Sequence, residues 1–127
     1  MLGYTIANPP VERGFTEFYI LGLNGETTDY PRELVVGKEA KVIVGIINRE
    51  HEAVSYSVEI KINGVINNKV GPVKLNHNEP WEEAVSFTPD RIGSKQQVEF
   101  MFYSYKKGEP VFEEALYLQP IDVKEQE

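Results

Sequence analysis

Hydrophobic and polar residues alternate along much of this chain. From Val54 to Ile62, apolar side chains take every second position at Val54, Tyr56, Val58, Ile60 and Ile62, with Ser55, Ser57, Glu59 and Lys61 between them. A strand places alternate residues on one face, so this segment reads as a half-buried strand. Asn63-Gly64 follows at once. The two central residues of a type I′ hairpin turn need positive φ, which Asn and Gly adopt most readily. Val65 to Val70 is the expected returning strand. Others are expected at Phe15 to Leu21, Lys41 to Asn48, Glu82 to Phe87, Gln97 to Tyr105 and Val111 to Leu118. The run KVIVGIIN, Lys41 to Asn48, is apolar on both faces, as a central strand is. Val98, Phe100 and Phe102 share one face of their strand, and Phe112, Leu116 and Leu118 one face of theirs.

Turn chemistry separates these segments at Leu23-Asn24-Gly25, Tyr30-Pro31, Gly71-Pro72, Thr88-Pro89, Ile92-Gly93 and Lys106 to Pro110. No amphipathic helix of three turns is present. About seven short strands joined by turns predict an all-β, antiparallel β-sandwich. Its expected core is Phe18, Ile20, Val42, Val44, Ile46, Tyr56, Val58, Ile60, Trp81, Phe87, Val98, Phe100, Phe102, Leu116 and Leu118. The domain is expected over residues 14–123. Residues 1–13, with Pro9-Pro10, read as a flexible lead, and 124–127, KEQE, as a frayed polar tail. No internal repeat or low-complexity segment is visible.

Composition narrows the function. The 127 residues form one domain with room for a single core. The net charge of −7 argues against a nucleic-acid backbone or an anionic lipid surface as partner. There is no cysteine, which excludes disulfides, thiolate metal sites and cysteine nucleophiles. The start of the chain has no signal-peptide pattern, and no run approaches the roughly 18 apolar residues of a membrane helix. The chain as written is therefore expected to be soluble.

Catalytic constellations are hard to find. The cluster NREHEA joins Asn48, Arg49, Glu50, His51, Glu52 and Ala53 between two strands. It reads as a hydrated turn, with Arg49, Glu50, His51 and Glu52 as candidate loop contacts to a partner. The other histidine, His77, falls in a different expected turn, and HExxH spacing is absent. No EF-hand-type loop exists. Adjacent pairs such as Glu82-Glu83 and Glu113-Glu114 point to opposite faces of a strand and do not chelate easily. A structural calcium at one end of the sandwich stays open. There is no G-x-S-x-G elbow and no glycine-rich phosphate loop. No cofactor is expected.

The aromatics leave two readings. Trp81, Tyr103, Tyr105 and Tyr117 are the candidate binding face, since flat rings stack on sugars and peptides. Trp81 starts a strand and is weighted toward the core. Tyr103 and Tyr117 lie opposite the expected core rows, where cross-strand pairs also stabilise sheets without a ligand.

The run Gly14 to Gly64, containing TEFYILG, and the segment LNHNEPWEEAVSFTP, Leu75 to Pro89, resemble the C-terminal domain of archaeal membrane proteins catalogued as domain of unknown function 1616. The likeness spans about residues 14–119. It implies an immunoglobulin-like sandwich held outside the cytoplasm by membrane helices that precede it, with Pro9-Pro10 near the membrane exit. This chain carries no such helix, and it also lacks the glycosylation sequons common in the family. The family supplies no activity and no catalytic residue. The resulting expectation is a non-catalytic, extracytoplasmic recognition or spacer domain of a microbial membrane protein that mediates protein–protein or cell-surface assembly contacts. A carbohydrate-binding module is the alternative, and an enzyme or accessory domain of one ranks third.

Overall fold

A computed structural model of the chain describes residues 14–22 and 33–126. The expectations for residues 1–13, and for the turns Leu23-Asn24-Gly25 and Tyr30-Pro31, lie outside the described residues. Among the described residues there are ten strands: β1 (Phe15–Leu21), β2 (Glu33–Val35), β3 (Ala40–Arg49), β4 (Val54–Ile62), β5 (Val65–Leu75), β6 (Pro80–Phe87), β7 (Gly93–Gln96), β8 (Val98–Lys106), β9 (Glu109–Tyr117) and β10 (Ile121–Lys124). They form sheets ordered β1-β3-β6, β5-β4-β8-β9 and β2-β10-β7.

The first two sheets face each other. Alternate residues of β3, β4 and β8 supply the fully buried interior, including Val42, Val44, Ile46, Tyr56, Val58, Ile60, Val98, Phe100 and Phe102. Aromatic rings join the layers: Phe18 of β1 stacks on Phe102 of β8 with centroids 4.2 Å apart, and Tyr56 stacks on the same ring at 5.4 Å. Phe87 of β6 meets Phe100 edge-on at 6.3 Å. Burial of such side chains stabilises by about 1.5–3 kcal/mol each. The β4–β5 hairpin turns at Asn63 and Gly64, both at positive φ, with Ile62 paired to Val65.

Several expectations need correction. Phe18, Trp81 and Leu116 are half-buried at the rim of the core instead of inside it. Phe112 is 52% exposed and does not share a face with Leu116. The cause is a register shift. Leu116 faces Phe100 and Glu114 faces Phe102, but the next pair is Phe112 with Tyr103, so Glu113 is an extra residue. Such a bulge inverts every side chain beyond it. The three unexpected strands, β2, β7 and β10, are three or four residues long, too short to display a period. They make the third sheet, in which β10 pairs parallel to β2 and antiparallel to β7. Lys124, expected to be frayed, ends β10 and pairs with Val35.

Register fixes which loops meet. Phe15 pairs with Arg49, Val54 with Leu75, and Ser55 with Tyr105. The start of β1, the β3–β4 and β5–β6 connections and the β8–β9 turn therefore share one end of the sandwich. The Asn63 turn and the third sheet lie at the other, joined where Asn63 donates to Gln97 and bonds Gln96.

Candidate functional site

At the loop end, NREHEA is partly interior. Asn48 is fully buried as the last inward residue of β3. Its side-chain amide donates to the carbonyls of Glu52 and Leu75, both at 2.8 Å, and its oxygen accepts from the Glu50 N–H at 2.7 Å. A buried amide survives only when its donors and acceptors are met, and here they tie the β3–β4 connection to the end of β5. Arg49 lies on the outer side, its Nε 2.9 Å from Glu17 and its guanidinium donating to Asn78. His51 sits at φ 69, the left-handed conformation that suits a tight turn. Its N–H donates to His77 Nδ1 at 3.0 Å, and the two rings stack at 4.6 Å. Register thus joins two histidines that the sequence puts in separate turns. Among the described residues no group of three or more histidine or carboxylate side chains is placed to hold a metal ion.

Beside this loop the two sheets part, and a cleft of about 830 Å³ opens between the start of β1 and the β8–β9 hairpin. Thr16, Glu50, Glu52, Ser104, Glu113 and Glu114 line it, with Phe102 as apolar floor and Lys106 and Lys107 at the hairpin tip. Thr16 Oγ1 donates to Glu50 at 2.7 Å and lies 2.8 Å from the Tyr56 hydroxyl. The single threonine proton is committed to Glu50, so Tyr56 is the donor in the second bond. Ser104 donates to Glu113. Burial, followed by the nearby Glu50 and Glu113 carboxylates, pushes the Tyr56 hydroxyl above its ordinary pKa. Glutamates that accept hydrogen bonds at the mouth of a cleft attract cationic groups.

Outside the cleft, the far face of the β5-β4-β8-β9 sheet is aromatic. Tyr117 pairs with Glu99, Ala115 with Met101, Phe112 with Tyr103 and Pro110 with Tyr105. Tyr103, Tyr105, Tyr117 and Phe112 therefore share one outward surface. Tyr103 meets Phe112 edge-on at 5.9 Å and donates to Glu59 at 3.0 Å. Desolvation, helped by Glu59, raises the Tyr103 pKa. Tyr117 is 56% exposed. Trp81 is not part of this surface, because β6 belongs to the other sheet and Trp81 pairs with the inward Ile46. Sequence reasoning missed Phe112, Glu113 and Thr16. One signal was available: Glu113-Glu114 interrupts the apolar alternation of a strand, which is how a bulge announces itself.

The profile of the family described as "Domain of unknown function (DUF1616)" matches residues 9–120. The chain belongs to this family. No curated protein matches it closely enough to count as a relative. Among solved structures it is similar to the CARDB domain of the PF1109 protein from Pyrococcus furiosus, a crystal structure in complex with di-metal ions. The TM-score is 0.58 and the identity 19%, covering 96% of this chain and 98% of that one. The solution NMR structure of the same CARDB domain gives a TM-score of 0.57 at 20% identity, covering 88% of this chain and 96% of that one. The likeness establishes the fold: an all-β, immunoglobulin-like sandwich with antiparallel main sheets.

Proposed function

We propose that this member of the family is a non-catalytic, extracytoplasmic domain of a membrane protein, and that it works by protein–protein contact at the cell surface. The observation that carries the reading is β9. Among the described residues it ends the β5-β4-β8-β9 sheet and exposes Val111 (38%), Phe112 (52%) and Tyr117 (56%) along one strand. An edge strand has a row of main-chain donors and acceptors available to another chain, and exposed aromatics are enriched where proteins meet. The resemblance to a membrane-protein domain supports the location. Among the described residues no helix is long and apolar enough to cross a membrane, so attachment in this reading comes from elsewhere in a longer protein.

Two experiments test it. Protease added to whole cells should cleave the domain in the full-length protein; protection until lysis would refute the location. Backbone amide NMR of the labelled chain, titrated with a detergent extract of the parent membrane, should broaden β8 and β9 resonances. A carbohydrate-binding role is the second reading, favoured by the placement of Tyr103, Tyr105 and Tyr117 on one outward face. Titration with cell-surface glycans decides between them: shifts confined to those tyrosines would replace protein contact with sugar recognition.

A further inference from the structure

The edge that β9 presents is chemically two-sided. On the outward side lie Phe112 and Tyr117. On the inward side the bulge at Glu113 brings two carboxylates to the cleft, Glu113 against Ser104 and Glu114 opposite Phe102. Glu50 faces them from across the cleft, and Phe15, 54% exposed, stands on the β1 rim. Among the described residues the cationic lining is confined to Lys106 and Lys107 at the hairpin tip.

A second copy of this chain fits the edge badly. Antiparallel β9–β9 pairing centred on the bulge would oppose Glu113 and Glu114 to the same residues of the other copy, and like charges directly across a ladder are destabilising. Inward-pointing charges on an edge strand are also a known guard against indiscriminate pairing. The guard becomes a selector when the incoming strand carries the opposite charge. We propose that β9 receives an extended peptide strand from a partner protein. Lysine or arginine at alternate positions of that strand enters the cleft between Glu50 and Glu113, and its apolar residues lie beside Phe112 and Tyr117. Main-chain hydrogen bonds to β9 supply affinity that is indifferent to sequence, and the alternating side chains supply selection. The proposal rests on the protein-contact reading above and names its partner class and its site.

The test uses the labelled 127-residue chain and three synthetic peptides with blocked ends. One alternates lysine with valine and tyrosine, one replaces each lysine by glutamate, and one is the lysine peptide N-methylated at every second residue. Amide NMR and hydrogen exchange follow binding at low ionic strength. The expected result is slowed exchange of outward-facing β9 amides with the lysine peptide alone. Its affinity should fall about tenfold or more in Glu113→Lys and severalfold in Glu113→Gln, which keeps the side-chain shape, and raising the salt should weaken it as screening of partly exposed charges requires. Equal binding of the glutamate peptide overturns the charge selection. Retained binding of the N-methylated peptide overturns strand addition. An absence of β9 protection, or protection by self-association without peptide, overturns the site. Shifts confined to the Tyr103 face or the His51–His77 turn would also overturn it while leaving the protein-contact reading standing.

Discussion

Along the seam between β5 and β6, side-chain amides bridge the two sheets, whereas along the seam between β1 and β9 the sheets part into a cleft. Asn67 of β5 forms a reciprocal pair with Thr88, just beyond β6, donating to its carbonyl and accepting from its N–H, both at 2.7 Å. Asn68 donates to the Ser86 carbonyl at 2.7 Å. An asparagine amide can imitate a peptide group, so this edge of β6 is met as if by another strand. On the opposite side, Phe18 stacks on Phe102, and the Tyr56–Thr16–Glu50 chain closes the depth of the seam only. The open seam is therefore the easier place for a partner to dock. A partner at β5/β6 would have to displace the bonds that join the sheets, while one at β1/β9 enters an opening whose carboxylates, already bonded to Thr16 and Ser104, still have acceptor capacity.

The strongest way to break this contrast is Phe102→Ala. Phe102 is 1% exposed and touches both Phe18 and Tyr56. Loss of its ring should cost about 3–5 kcal/mol, read by urea unfolding, because aromatic packing holds the open seam. A loss below 1 kcal/mol would mean that the seam is held some other way. Asn67→Ala probes the closed seam. It leaves the Thr88 N–H and carbonyl without their partner and should cost about 1–3 kcal/mol, with faster exchange of the Thr88 amide as the local signature.

A smaller effect sharpens how β1 is kept in its sheet beside the cleft. Tyr19 of β1 lies across Gly45 of β3 to donate to Glu82 of β6 at 2.7 Å. A Cβ on Gly45 would fall 2.0 Å from the Tyr19 ring. Gly45→Ala should therefore turn the ring out, at about 1 kcal/mol for the lost bond. The same substitution should return the Tyr19 titration from about 12 toward the ordinary 10.0, since the Glu82 hydrogen bond, then desolvation, raises it. The smallest effect is the dependence on pH. A pKa higher in the folded chain means that the fold holds the proton more tightly. The contribution of Tyr19 is thus complete below pH 10 and lost as pH rises toward 12. The difference in stability between wild type and Tyr19→Phe should narrow across that window, and a difference that stays constant would sink the assignment.

The strand interiors were legible wherever the information is local. The alternation through Val54 to Ile62, the Asn63-Gly64 turn and the apolar rows of Lys41 to Asn48 and Val98 to Phe102 each follow from a period of two residues, and the structure repeats them. The placement of Tyr103, Tyr105 and Tyr117 on one side followed as far as the phase of each strand could be carried. It failed for Phe112, because one extra residue at Glu113 reverses the phase and only the pairing with β8 reveals which residue is extra.

What the sequence alone determined is the class of fold, its central strands and most of its core, because steric preference and the burial of alternate side chains act between near neighbours. Contacts between distant segments were decided by tertiary structure. His77 lies on His51, Asn67 reaches Thr88, and Thr16 meets Glu50 and Tyr56. Strands as short as β2, β7 and β10 bury too little by themselves to show a pattern, and they become strands when the larger sheets hold their partners in place. The cleft and the charged edge arise in the same way. They exist only where register and one bulge bring Glu50, Glu113 and Glu114 to the same opening.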